Sequence, residues 1–361
     1  MAKKKSQGKG PLELIKSYLQ RVFIDGLSGM AQGLFATLII GTILKQLGSY
    51  IPGSIGSMLS VIGAIAQLAT GAGIGCGVAV KLGAKPLVVF SAAACGFVGA
   101  FASSVQSSGT VQISGPGDPL NAFIAAYVCI EAGSIIAGKT KIDIILTPLV
   151  SVVCGGLVGT LTSSPISQFS SYLGGLVEYG SEAQPLLMGI IVSTLMGMFL
   201  TLPISSAAIG VILNLSGIAA GAATVGCCVN MIGFAVISYR ENKLGGLLAQ
   251  GVGTSMLQMP NIIKRPVIWL PCILTSAILG PISTLLFKMT NVPAGSGMGT
   301  AGLVGPILSF ADMTANGESV TAVIIKISLM YFILPAVMCL GFSEAMRKLG
   351  WIRDSDMRLP S

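Results

Sequence analysis

The sequence predicts an all-α polytopic membrane fold, with about ten crossings, two re-entrant elements and a weak internal repeat. Three observations carry that prediction. Only 9% of the 361 residues are Asp, Glu, Lys or Arg, where a soluble domain has about 25%. Apolar residues reach 53% and mean hydropathy is +0.85, so a soluble chain of this composition could not clothe its core in charge. The 57 residues from Ala183 to Tyr239 contain no charge at all. As a single helix they would reach about 85 Å against a hydrocarbon core of about 30 Å, so the chain turns back at least once within them. A membrane barrel would need alternating segments of about ten residues, and these apolar runs are longer and do not alternate.

Taken in order, residues 1–26 open with a basic arm, Met1-Ala-Lys-Lys-Lys. No apolar run follows it directly, so no cleaved signal peptide is expected. Leu12, Ile15, Leu19 and Val22 recur at helical spacing with Glu13, Lys16, Gln20 and Arg21 between them. That pattern predicts an amphipathic helix lying on the cytoplasmic interface. A transmembrane domain follows over 27–342, with halves of about 27–165 and 185–342, and then a cytoplasmic tail, 343–361. Crossings are expected near 27–47, 54–80, 86–105, 121–138, 142–162, 185–201, 203–216, 219–238, 266–287 and 322–342. The seventh is short, and charge decides whether it stands. With ten crossings, 18 of the 21 Lys and Arg lie on the inner side, leaving Lys45, Lys288 and Lys326 toward the outside. Fusing the seventh and eighth gives 12 inside and 9 outside. The positive-inside rule selects ten, with both termini cytoplasmic in a bacterial inner membrane. The net charge of +8 is thereby topology, and nucleic acid is not an expected partner.

Two charge-free stretches do not read as crossings. Leu244 to Ile263 is Gly-rich and lies between inner basic clusters. Met289 to Ala311 lies between outer segments and contains Ala294-Gly-Ser-Gly-Met-Gly-Thr-Ala-Gly302. Irregular backbone at membrane depth is tolerated where it is buried in protein or lines a cavity, so one re-entrant element from each face predicts a solute site near the midplane. The plainer alternative is a pair of apolar surface loops. Gly75-Cys-Gly-Val78 and Gly226-Cys-Cys-Val229 each precede an inner basic cluster, which is the weak repeat.

Glu131 is the only acid near the middle of an expected span. An ionised carboxylate there costs several kcal/mol unless paired, hydrated or protonated, so it is read as facing a cavity or proton path, or as a hydrogen bond between helices. In Ser114-Gly-Pro-Gly-Asp-Pro-Leu-Asn121 the Pro and Gly residues force a tight turn, and Asp118 or Asn121 can cap the next helix. The turn is a rigid lip offering a helix N-terminus to a ligand, or simply an outer turn. Asn230, Asn214, Gln67 and Gln250 are uncharged polar groups at membrane depth, suited to solute hydroxyls or to bonds across helices. Gly295, Gly297 and Gly299 of the outer element complete the candidate substrate-binding set. Gly133-Ser-Ile-Ile-Ala-Gly-Lys-Thr140 matches a phosphate loop in form, but it ends a crossing rather than following a strand. The eight cysteines show no metal-ligand spacing and read as small buried hydrophobes. With no His in the chain and no charged cluster for nucleophilic chemistry, neither a catalytic residue nor a cofactor is expected.

The basic arm, Ser114–Asn121, Gly221–Asn230, Met259-Pro-Asn-Ile-Ile263 and the Gly295–Pro306 loop resemble the membrane-embedded IIC component of bacterial phosphotransferase sugar permeases. They are most similar to the divergent branch that includes perfringolysin-regulator-like proteins. The resemblance spans nearly the whole chain. It implies ten crossings, two re-entrant hairpins, a homodimer, and sugar carried by one half moving against the other. It also implies separate IIA and IIB proteins at the cytoplasmic face, IIB phosphorylating the bound sugar. The sequence lacks the sugar-site histidine and the Thr-Glu-Pro motif of better-known branches, and carries no fused IIA or IIB domain. The expected function is a carrier for a small polar solute, sugar or sugar-like, working by alternating access. The alternatives are a membrane sensor with a permease fold and a carrier independent of phosphotransfer.

Overall fold

In the computed structural model, residues 17–108, 113, 115–140, 142–181 and 184–359 are described. Helices account for nearly all of them, with no strand among the described residues beyond a single bridge between Gly217 and Asn291. The chain runs through α1 (Ser17–Ser49), α2 (Ser54–Leu68), α3 (Thr70–Lys81), α4 (Pro86–Ser108), α5 (Pro119–Ile136), α6 (Asp143–Ser181) and α7 (Pro185–Thr201). It continues as α8 (Ser206–Ile212), α9 (Gly217–Ile237), α10 (Tyr239–Leu248), α11 (Met259–Lys264), α12 (Pro266–Leu286), α13 (Pro293–Ser296), α14 (Val304–Ala315) and α15 (Val320–Lys348). Seven of these helices are long and apolar enough to cross a membrane, and α2 with α3 makes a bent eighth, broken by 54° at Ala69. Pro opens α4, α5, α7 and α12, where its missing N–H is no loss and its fixed φ suits the first turn.

Several boundaries differ from the sequence expectation. Residues 17–26 continue into α1 without a break, through a stretch of wider π turns at Arg21–Gly26. Residues 1–16 of the basic arm lie outside the described part. The expected crossing 142–162 is the first half of a 39-residue helix that runs through Pro148 and Pro165 to Ser181. The seventh segment contains only α8, seven residues or about 10 Å. Leu202 is extended and Pro203 follows, which stops α7.

The seventh segment nonetheless brings the chain back. Gly189 of α7 packs on Gly280 and Pro281 near the end of α12, and Gly221 of α9 packs on Met289 just beyond that end. At the opposite side, Thr201 of α7 meets Asn230 of α9. The two helices are therefore parallel, and residues 202–216 return the chain between them. Close packing makes this possible: a Cβ at Gly226 would run into the Ser193 carbonyl.

The core falls into three clusters. One joins α1, α3, α4 and α5 through residues such as Met30, Ile74, Val88 and Ile130. A second joins α9, α12 and α15 through Phe234, Leu279 and Tyr331, and takes in Ile352 and Met357 after α15. The third joins α7, α8 and α9 through Met196, Ile209 and Met231. Helix α9 is the hub: 89% of its apolar stretch is buried, against 22% for α6.

Candidate functional site

The two Gly-rich segments fold as broken helices and meet. The first runs down α10, loosens into a π turn at Ala249–Gly253, and becomes extended at Thr254. The Thr254 hydroxyl accepts from Met256 N and starts a 3₁₀ turn, Ser255–Gln258, that leads into α11. In the second, the Asn291 side chain accepts from Val292 N at 2.8 Å and Pro293 opens the short α13. Gly299, Gly302 and Leu303 then take left-handed φ values of +52°, +54° and +60° before α14 begins. The first two are free for glycine, whereas the leucine is held there at a cost of about 1–2 kcal/mol.

The Thr300 hydroxyl, on the second segment, donates to the Gly251 carbonyl, on the first, at 2.6 Å. Three polar groups surround that contact. Asn291 donates to the Thr224 hydroxyl at 2.8 Å and to the Gly305 carbonyl at 3.1 Å, tying the second segment to α9. Asn230 Oδ1 accepts from the Trp269 indole N–H at 2.9 Å and from Thr201 at 3.2 Å, and Thr201 also bonds Ser255 at 2.8 Å. From α1 and α2, Gln67 donates to Thr42 at 2.8 Å, and Gly302 lies against the Thr42 methyl. Asn230, Asn291, Thr300, Gln250 and Ser255 are all fully buried. Every group in the cluster is neutral: amides, hydroxyls, one indole.

The expected residues thus divide. Gln67, Asn230 and Gln250 belong to this junction. Gly295, Gly297 and Gly299 line it as contact points, since a side chain there would strike Asn291, Ser206 and Cys227 respectively. Asp118 and Asn121 make bonds at the start of α5. Asp118 caps α5 by accepting from Leu120 N and Asn121 N, and burial pushes its carboxyl up against those two bonds. Asn121 ties α4 to α6 by donating to the carbonyls of Gly99 and Gly159 and accepting from Thr162. Ser114 lies outside the described residues. Asn214 sits on an exposed turn with φ +49°.

Glu131 is paired elsewhere. Its carboxylate accepts from Arg21 at 3.0 Å, with the two side chains 37% and 39% exposed. Arg21 and Thr42 share α1, and 21 residues of helix separate them by about 30 Å. The acid therefore lies far from the Thr42–Gly302 contact. The formal phosphate loop ends α5, and its Gly138 N–H bonds Asp143. Six of the eight cysteines are buried.

Thr201, Thr224, Ser255, Asn291 and Thr300 were not anticipated as site residues. Asn291 carried a signal, an amide beside Val-Pro within an apolar run; single Ser and Thr residues in such runs are too common to stand out.

A comparison with curated proteins finds no match. A family model described as "Phosphotransferase system, EIIC" matches residues 24–359. That span includes every helix from most of α1 onward, both Gly-rich segments and the residues that bring them together. The chain is a multi-pass membrane protein, and it belongs to the EIIC permease family of the phosphotransferase system.

Proposed function

We propose that this permease carries a small, uncharged, polyhydroxylated solute, a sugar or sugar-like compound, through the junction of the two Gly-rich segments by alternating access. The observation that carries the reading is the Thr300–Gly251 bond, which joins two irregular segments amid neutral donors and acceptors. Such groups match hydroxyls, which offer both donor and acceptor. Irregular backbone of this kind is stable at membrane depth only where protein or a cavity surrounds it. The two segments are accordingly read as re-entrant elements, entering from opposite faces of a ten-crossing domain in a bacterial inner membrane. Both termini lie in the cytoplasm. The broken return through α8 keeps α7 and α9 parallel, as the 18-to-3 charge split requires.

As an EIIC protein the chain works with separate IIA and IIB components, and a phosphorylated IIB modifies the sugar at the cytoplasmic face. A homodimer is proposed through α6, whose Ile145, Leu149, Val153, Leu157 and Leu161 form an exposed stripe at four-residue spacing. The test is solute binding. In a Trp351→Phe background, Trp269 is the one remaining tryptophan, and its indole is bonded to Asn230 in the cluster. A panel of hexoses, disaccharides and polyols should include at least one that saturably changes its emission. A flat response to every member would remove the solute site from this junction. A sensor with a permease fold is the second reading, favoured by the mutual satisfaction of the junction's buried polar groups. It expects the emission change without solute movement.

A further inference from the structure

Asn242, Gln258 and Asn261 lie off the Thr300–Gly251 contact itself, yet they form an ordered line on the first Gly-rich segment. Their partner is the chain's own C-terminal segment. Asn242 and Gln258 donate to the Met357 carbonyl at 2.8 and 2.9 Å, and Asn261 donates to the Arg358 carbonyl at 2.9 Å. The Leu359 N–H donates back to Asn242 Oδ1 at 2.8 Å. Arg265 adds an ion pair to Asp356 at 3.3 Å, and the Met357 side chain is fully buried. Amides binding successive backbone groups of a turned segment, with a buried side chain between them, make a groove that seats a short peptide.

Two further features give the groove a consequence. Gln258 also donates to Gln250 at 2.9 Å, and Gln250 in turn donates to Ser238 and to the Gly246 carbonyl. The next residue after Gln250 is Gly251, whose carbonyl receives Thr300. The seated segment is thus connected to the contact between the Gly-rich segments through two side chains and one peptide bond. In addition, Leu359 forms part of the wall of a cavity of about 270 Å3. The rest of the wall comes from Ala249 and Leu257 of the first segment and from Ser28, Ala31, Gln32 and Phe35 of α1. Ser28 is 2% exposed and its hydroxyl has no hydrogen-bond partner.

We propose that Asp356–Leu359 is a latch seated in a peptide-binding groove of the first Gly-rich segment, and that its release opens the cavity between that segment and α1. The seated latch holds the segment against α1, and its departure frees three amides. The inference rests on the first segment being a moving part, as the transport reading has it. Its test reads side-chain accessibility rather than solute, so failure of either is seen separately.

The experiment uses full-length protein in lipid nanodiscs, carrying Ser28→Cys and treated with N-ethylmaleimide. Labelling is followed by peptide mass, so that the native cysteines are scored separately. Two variants release the latch from opposite sides: Asn242→Ala removes groove contacts, and Leu359→Pro removes the N–H while leaving the groove whole. Hydrogen exchange at residues 356–358 verifies release. Both variants are expected to label the introduced cysteine at least ten-fold faster than the parent, with Cys227 in the α9 core still unlabelled. Labelling within two-fold of the parent, once exchange at 356–358 has risen, would overturn the latch. So would faster labelling that extends to Cys227, because the segment would then be holding the whole half together rather than one moving part.

Discussion

The Thr300 hydroxyl reaches the Gly251 carbonyl at 2.6 Å across 49 residues of sequence, and both ends of this bond lie in backbone that is not regular helix. A helical carbonyl would already be committed four residues on. Here the π turn ends at extended Thr254, whose hydroxyl takes the Met256 N–H, so the Gly251 carbonyl is left to accept a side chain, and left-handed Gly299 precedes Thr300.

Thr300→Val keeps the shape and removes the donor. A buried carbonyl left without its partner costs about 1–3 kcal/mol, which lowers the thermal midpoint by several degrees at roughly 2–4 °C per kcal/mol. Solute flux is expected to fall by about ten-fold or more, while Thr300→Ser retains both properties. Equal flux in the valine and parent proteins would show that the bond is packing alone.

Asn230 holds Trp269 and Thr201 together. Asn230→Ala orphans the indole N–H and is expected to destabilise by about 2–3 kcal/mol, with Trp269→Phe costing less because it takes its own donor away. A double-mutant cycle in chemical denaturation should give a coupling of about 1 kcal/mol. Strict additivity would mean that the two side chains do not depend on each other.

The Arg21–Glu131 pair is more than a third exposed at each end, and pairs of that kind contribute about 0–1 kcal/mol. Glu131→Gln is therefore expected to shift the thermal midpoint by no more than about 3 °C. Because the pair sits far along α1 from Thr42, flux should stay within two-fold of the parent. A large loss of flux at unchanged stability would restore the carboxylate to the mechanism.

Two glycines make a paired test of helix packing. Gly226→Ala drives a methyl into the Ser193 backbone, where neither helix can yield cheaply; overpacking of this sort costs about 1–3 kcal/mol or more, and yield of folded protein should drop. Gly341→Ala on α15 meets open space and should be neutral or stabilise by up to about 1 kcal/mol through helix propensity. Detergent-resistant monodispersity after heating distinguishes them.

The long apolar helices were legible because hydrophobic length is a property of the sequence itself: α9 and α12 fall within a few residues of the expected 219–238 and 266–287. The continuation of α6 to Ser181 was not, since Pro165 and the serines around it read as a stop, although Ile166, Phe169, Leu173 and Val177 beyond keep helical spacing. Gln67, Asn230 and Gln250 were found as isolated amides in apolar runs. Glu131 was singled out by the same logic, because sequence shows that a charge sits near a span's middle but not that Arg21 stands opposite on another helix. Thr300 depends on where two distant turns meet, and no local pattern encodes that. The latch was hidden for a similar reason: Asn242, Gln258 and Asn261 read as unrelated polar residues until the chain end is laid along them.

Solute counterflow tests the central claim most directly. Purified protein in liposomes preloaded with an unlabelled sugar is given the same sugar, labelled, outside. The account expects saturable accumulation of label for at least one neutral polyhydroxylated solute, without IIA or IIB, reduced about ten-fold or more by Thr300→Val. If every solute that binds near Trp269 fails to exchange, the chain is not a carrier, and its permease fold serves to sense the solute instead.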